Sequence, residues 1–336
     1  MKKYILRRFL LSLIVLFGVI LIIFTITRVV PSDPAAKWAG ARATAEQVAA
    51  ARIELGLDKP VPVQFVKYLE DLVHGDLGYS LRTRNPVTSD LKAFIPATVE
   101  LVMMGTIFAM FIGIPLGLYS AKYKNKMLDH FSRFFSIGCV SLPVFWVALT
   151  LQLVFYSYLG LLPLGGRVST EVALMYEMPH VTGMLIFDSL ITGNWVVFAD
   201  ALKHIILPMI PIALYPIGLV ARMTRSAMLE ILGEDYIAAE RSYGLPERQI
   251  LWGYALKNSL GPTATVVTLS VGYTLMNTFL VESIFNWPGI GKYVAASVVS
   301  MDFPAIMGVT IFSAICYMVL NLIADLVISL DPRVRL

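Results

Sequence analysis

The feature that most constrains this chain is its set of long apolar runs, at about residues 9–30, 99–121, 134–158, 205–219, 260–281 and 305–330. A hydrocarbon core is roughly 30 Å thick, so an α-helix needs about 20 apolar residues to cross it. Inside that core every backbone N–H and C=O must find a partner within the protein, which leaves only helices or a closed barrel. Runs of this length suit helices. Hydrophobic residues make up 57% of the chain and charged ones 15%, far from the balance of a soluble domain. The expectation is an all-α polytopic membrane protein with six transmembrane helices.

The first run follows Lys2, Lys3, Arg7 and Arg8. A cleaved signal peptide would have an apolar core of only about 7–15 residues and a small-residue cleavage site. This run is longer and ends in Arg28-Val29-Val30-Pro31, so residues 1–30 read as the amino terminus and an uncleaved first span. Arg7-Arg8-Phe9-Leu10 also resembles a twin-arginine export signal, a poor fit to a chain that is mostly membrane. Residues 31–97 read as an extracytoplasmic helical segment. Thr44 and Gln47 fit a capping box ahead of an Ala-rich helix that stops at Gly56. Phe65, Leu69 and Leu72 recur at i, i+4 and i+7 on a second helix ending near Gly75. Asn85-Pro86 opens a third.

Residues 98–336 hold spans two to six, an extracytoplasmic insert at 159–203 and a cytoplasmic loop at 226–258. Gly113 and Gly117 have the small-xxx-small spacing that lets helix backbones approach closely. Pro143 predicts a kink in the third span, and Pro208, Pro211 and Pro216 predict a broken fourth span. Of the 27 Lys and Arg residues, fifteen lie at the termini, in the 122–133 turn and between Arg222 and Lys257. Nine of the other twelve fall between Arg28 and Lys92, mostly in a segment too long to weigh in the positive-inside rule. Both termini and the 226–258 loop are therefore expected in the cytoplasm, with Lys37 and His180 outside.

Several kinds of chemistry are missing. ATP hydrolysis by this chain would call for Gly-x-x-x-x-Gly-Lys-Ser/Thr, and Gly289-Ile290-Gly291-Lys292-Tyr293 lacks both the spacing and the hydroxyl. There is no His-Glu-x-x-His, and His74, His130, His180 and His204 are scattered. Cys139 and Cys316 sit inside apolar runs, where small buried thiols are ordinary. No catalytic residue, cofactor, metal or nucleic-acid partner is expected. An ion-coupled carrier needs ionisable groups deep in its spans, and Arg28, Glu282 and Asp325 all lie toward span ends. Gln152, Asn277 and Asn321 are deeper and read as polar contacts between helices. Residues 285–292 (Phe-Asn-Trp-Pro-Gly-Ile-Gly-Lys) read as a Pro-Gly turn with Trp287 at the membrane interface. The chain has a conduit but no energy source.

Residues 234–258 form a polar island between two spans. Tyr236, Ala239, Glu240 and Tyr243 fall on one face of a helix, Gly244 suits a left-handed C-terminal turn, and Pro246 suits the first turn of a second helix. The pattern predicts a short bent rod with an aromatic and acidic face turned outward.

This island resembles the cytoplasmic coupling loop of bacterial ATP-binding-cassette importer permeases, whose signature is Glu-Ala-Ala, three residues, Gly. Here Ala238-Ala239-Glu240 precedes Arg241-Ser242-Tyr243 and Gly244, with the acidic residue displaced. Gly233-Glu234-Asp235-Tyr236 is similar to the opening of that loop in the peptide-permease branch. Further matches are Ile5-Leu6-Arg7-Arg8-Phe9-Leu10, Pro31-Ser32-Asp33-Pro34, Leu55-Gly56-Leu57-Asp58-Lys59-Pro60, the 74–80 string His-Gly-Asp-Leu-Gly-Tyr-Ser, and the 285–292 turn.

The resemblance implies a type I importer permease closest to the dipeptide, oligopeptide and nickel branch. It also implies a homologous second permease, two ATP-binding cassette ATPase subunits and an extracytoplasmic peptide-binding protein. The membrane would be the bacterial cytoplasmic (inner) one. Glu234, Asp235, Tyr236, Ala239, Glu240, Tyr243 and Gly244 would couple the ATPases to the spans. Gly166-Arg167-Val168-Ser169, Thr182-Gly183 and Asp200-Ala201 favour the dipeptide branch. A secondary carrier or channel, and an assembly scaffold, are the alternatives of a different class.

Overall fold

The computed structural model describes residues 2–29, 33–40 and 42–329. The carboxy-terminal string 331–336, with its two arginines, lies outside the described residues, as does part of the Pro31-Ser32-Asp33-Pro34 match. Every regular element described is helical.

α1 (Lys2–Val29) is the first long apolar helix. Three short helices follow: α2 (Pro34–Ala39), α3 (Ala45–Glu54) and α4 (Val61–Val73). The capping box of α3 forms, with Gln47 N donating to Thr44 Oγ1 and Thr44 N to Gln47 Oε1. Asn85-Pro86 does not open a separate short helix. It opens α5 (Val87–Lys122), which continues through Pro96 and Pro115 as one 36-residue helix.

α6 (Met127–Ser141) and α7 (Val144–Leu151) meet at Leu142-Pro143 and are bent by 99°. The kink predicted at Pro143 is thus a break. α7 runs on into wider π-helical turns over Gln152–Tyr158. The insert carries α8 (Thr170–Met175) and α9 (Leu185–Ile191).

α10 (Trp195–Ile231) overturns the expectation of a broken fourth span. It runs unbroken for 37 residues through Pro208, Pro211 and Pro216, all of them buried. A proline removes one intrahelical hydrogen bond, but here α5, α6, α7, α9 and α13 surround the helix and hold it. Two thirds (67%) of its most apolar window is buried, against 11% for α1, so α10 is the central helix and α1 a peripheral one. Close packing depends on the predicted small residues. A Cβ on Gly117 would stand 2.5 Å from the Ala221 carbonyl oxygen of α10.

The chain then forms α11 (Asp235–Ser242), α12 (Glu247–Gln249), π-helical turns at Ile250–Ala255, and α13 (Leu256–Ile284). α14 (Ile290–Ser300) and α15 (Phe303–Ser329) complete the fold. Among the described residues five helices are long and apolar enough to span, and the bent α6–α7 pair makes a sixth if taken as one span. α15 packs on α13, α14, α5 and α1, and it carries α1 at the edge of the bundle.

Candidate functional site

The α11 loop is built by local backbone chemistry. α11 ends in a Schellman turn. Gly244 has φ +76°, its N–H donates to the Arg241 carbonyl at 3.0 Å, and Leu245 N–H donates to the Glu240 carbonyl at 3.3 Å. That pair of bonds satisfies carbonyls the helix end leaves open, and a left-handed residue at this position favours glycine. Pro246 sits one place earlier than expected, as the residue that caps α12. Arg241 and Glu247 pair across the turn at 3.1 Å, both well exposed, so the pair adds little stability.

The second arm of the expected rod is not free. α12, the π-helical turns and α13 form one continuous apolar helix, Glu247–Ile284. The wider turns place Ile250, Leu251 and Ala255 inward, where they meet Leu118, Ala121, Met228 and Ile231 in one buried cluster. Ile237 enters the same cluster and is the one fully buried residue of α11.

The residues singled out in the sequence lie around that anchor. Glu234, Asp235, Ala239 and Gly244 are exposed, and Tyr243 is 86% exposed. Tyr236 is at the surface, where its hydroxyl accepts from Asn258 Nδ2 at 2.9 Å. Glu240 is half-buried, and its Oε2 has no hydrogen-bond partner among the described residues. Ile237 escaped the sequence reading, although it is the only aliphatic residue larger than alanine in α11, a signal that could have marked it.

A second constellation lies at the other end of α13. Glu282 is fully buried and accepts from Thr98 Oγ1 (2.7 Å), Gly291 N (2.7 Å) and Lys292 N (3.2 Å). Trp287 is 1% exposed and donates from Nε1 to the Ala97 carbonyl at 2.8 Å. The expectation of a plain turn at 285–292 is therefore corrected: the segment is a plug that fastens α14 to α5, with the Trp287 ring packed inside the protein. The insert is tied to the same place. Arg167 bonds Glu100 and the Gly183 carbonyl and lies over the Trp287 ring.

Within the insert, Asp188 accepts from the Thr182 hydroxyl and from the N–H groups of Thr182, Val181 and Gly183. Burial alone would raise its pKa, but these donors outweigh it and hold the carboxyl below its ordinary value. Of the other polar candidates, Asp325 pairs with Arg8 at 3.3 Å and Gln152 donates to the Leu164 carbonyl. Asn277 donates to the Tyr273 carbonyl of its own helix. Among the described residues no cluster of His, Cys, Asp and Glu could hold a metal ion.

Residues 113–336 match the family described as binding-protein-dependent transport system inner membrane component. The chain belongs to that family. Residues 1–102 match the corresponding N-terminal family of such membrane components. The chain is 45% identical over 323 residues to the probable D,D-dipeptide transport system permease protein DdpB of Escherichia coli K12, covering 96% of this chain and 94% of that one. It is 38% identical to the dipeptide transport system permease protein DppB of Alkalihalophilus pseudofirmus, with both chains covered fully. It is 36% identical to DppB of Escherichia coli K12, covering 100% of this chain and 99% of the other. Among solved structures, a chain of the MetNI methionine ABC transporter matches with a TM-score of 0.50 at 15% identity, over 69% of this chain and 92% of that one. That likeness concerns the fold. This inner-membrane permease component thus has the all-α, multi-pass architecture of ABC importer permeases, with α11 and the Glu282–Trp287 plug at opposite ends of α13.

Proposed function

We propose that the chain is the non-catalytic permease subunit of an ATP-driven, binding-protein-dependent importer of dipeptides and short peptides. The observation that carries this reading is the likeness, along the whole chain, to permeases named for dipeptide transport. The partners would be a second homologous permease, two ATPase subunits and an extracytoplasmic peptide-binding protein. Both termini and α11 would face the cytoplasm, and the 31–97 and 159–203 segments the outside.

Coupling would run through the α11 surface. An ATPase pressing on Glu234, Asp235, Tyr236, Ala239, Glu240, Tyr243 and Gly244 would move α11 as a unit. Ile237 and the Schellman turn tie α11 to the helix of α12 and α13, which carries the movement about 57 Å along its 38 residues toward Glu282. The sequence alternatives of nickel or longer peptides are separated by the test. The permease would be reconstituted with its three kinds of partner, and ATP hydrolysis and uptake measured with a dipeptide panel, a longer peptide and nickel. Dipeptide-stimulated hydrolysis with uptake is expected. Uptake of nickel without peptide would sink the substrate assignment, and transport without any ATPase would sink the class.

A further inference from the structure

α4 carries a pattern that neither transport nor coupling uses. Wound at 3.6 residues per turn, Phe65, Tyr68 and Leu72 share one face, Pro62, Val66 and Val73 adjoin it with Glu70 at their outer edge, and Lys67 and Asp71 lie away from both. The Phe65 ring stands 6.1 Å from Phe17 and 5.0 Å from Phe24 of α1, and Tyr68 stacks on Phe24 at 5.8 Å. Phe17 is at the middle of the apolar stretch Arg7–Arg28, about 16 Å along the helix from Arg28. α4 is therefore fastened along the half of α1 that ends at Arg28, between Phe17 and Phe24. α1 exposes Phe17, Leu21 and Ile22 around this contact, and Val66 and Val73 of α4 extend the exposed apolar surface. Exposed apolar side chains thus occur on both helices that meet at this contact.

A cleft of about 480 Å³ opens between α4, the end of α1, the 76–81 segment and the start of α15. Arg28 and Lys67 line it together with Glu54, Asp71 and Asp76. Neither cation makes an ion pair with a described carboxylate. The Tyr68 hydroxyl, on the same wall, is shielded and has no hydrogen-bond partner among the described residues. Two cations, three carboxylates and an open hydroxyl at the end of a span match a group that carries phosphate and ammonium together.

We propose that α4 lies in the membrane–water interface at the Arg28 end of α1, its Pro62, Val66 and Val73 flank among acyl chains, and that the adjoining cleft seats the headgroup of a zwitterionic phospholipid. Arg28 and Lys67 take the phosphate, Asp71 and Asp76 take the ammonium, and Tyr68 donates to an ester or phosphate oxygen. Long basic side chains reach from apolar surroundings to headgroup level in this way.

The test uses the full chain with Cys139 and Cys316 replaced by alanine and a single bimane-labelled cysteine at position 66, 73 or 67, in phosphatidylethanolamine vesicles. Labels at 66 and 73 should be quenched by lipids brominated in the acyl chain and spared by aqueous iodide, with the reverse at 67. Iodide quenching at 66 and 73 equal to that at 67 would place α4 in water, and quenching by neither agent would mean that protein covers the flank. Either result overturns the interfacial placement. For the cleft, lipid retained through detergent purification is measured by mass spectrometry. Lys67→Glu, at an exposed position, should retain about tenfold less phosphatidylethanolamine than wild type or Lys67→Arg. Equal retention in all three overturns the headgroup seat.

Discussion

The Arg225 guanidinium of α10 grips the Asp129 carboxylate of α6 through two hydrogen bonds, Nε to Oδ1 at 2.7 Å and Nη2 to Oδ2 at 2.9 Å. Asp129 is fully buried and also accepts from Ser120 Oγ and Asn125 N, so one carboxylate joins α5, the 122–126 turn, α6 and α10. Removing one partner of a buried pair costs about 3–5 kcal/mol; Arg225→Met would leave Asp129 only the half-exposed Arg133, at 3.7 Å, as a cationic partner, so its loss should fall toward the lower end of that range. Arg225→Met should lower the thermal midpoint of the detergent-solubilised protein sharply, and Arg225→Met with Asp129→Leu should recover part of the loss. A double variant no better than the single one would mean the pair is not what joins these helices.

Gly244 offers a cleaner test of the α11 loop. Nothing stands within 4 Å of a Cβ built there, so a side chain meets no clash and only the backbone resists. Holding a β-branched residue at φ +76° costs on the order of 1–2 kcal/mol, too little to unfold the bundle. Gly244→Val should reach the membrane at normal levels while weakening ATPase co-purification or uptake. Gly253, in the π-helical turns, would place its Cβ 3.9 Å from Gln249 Cγ, so Gly253→Ala should be mild. Normal transport by Gly244→Val, or uncoupling by Gly253→Ala, contradicts the role given to this turn.

Ile237→Ala probes the anchor itself. Truncating a fully buried isoleucine costs about 2–5 kcal/mol, and here the loss falls on a helix of eight residues with one buried side chain. Hydrogen exchange should rise across α11 and stay unchanged in α10 and α13, while ATP hydrolysis persists with reduced uptake. Unaltered coupling would show that α11 is held by something other than Ile237.

Acid should loosen the insert before the bundle. The Asp188 pKa is depressed in the folded state, so its contribution is full above the ordinary carboxylate value of about 3.9 and is lost as pH falls through the lower folded one. Limited proteolysis of the 176–184 turn should stay slow from neutral pH to about pH 4 and quicken below it. Asp188→Asn should be cleaved faster at neutral pH and show no such acid step. A wild-type rate that is flat into strong acid would remove Asp188 as the clamp.

Topology can be read by single-cysteine labelling with an impermeant reagent in intact cells. His180 and Gly244 are both exposed, whereas Lys37 is half-buried and donates to the Ser300 carbonyl. Position 180 should label from outside and position 244 only after the membrane is opened. Outside labelling at 244 would invert the proposed orientation.

What could be read along the chain was the chemistry that acts over a few residues. Apolar run length sets the spanning class because it is a property of one continuous stretch, while Thr44 and Gln47 build their capping box and Gly244 takes its left-handed turn because each depends only on neighbours within about one helical turn. The small residues facing α10 were legible for the same reason, since Gly113 and Gly117 announce close approach by spacing alone. Other features depended on partners far away in sequence. Three prolines suggested a broken fourth span, but α10 stays whole because five helices enclose it. Trp287 looked like part of a plain turn, yet its N–H is taken by the Ala97 carbonyl, 190 residues earlier. Ile237 stands out in its octapeptide as the one large aliphatic residue, but it becomes an anchor only where Leu118, Met228 and Ile250 converge. Local propensity determined which segments are helices and where they turn; packing between distant segments decided which breaks are tolerated, which polar groups are buried, and which residue ties α11 to the spans.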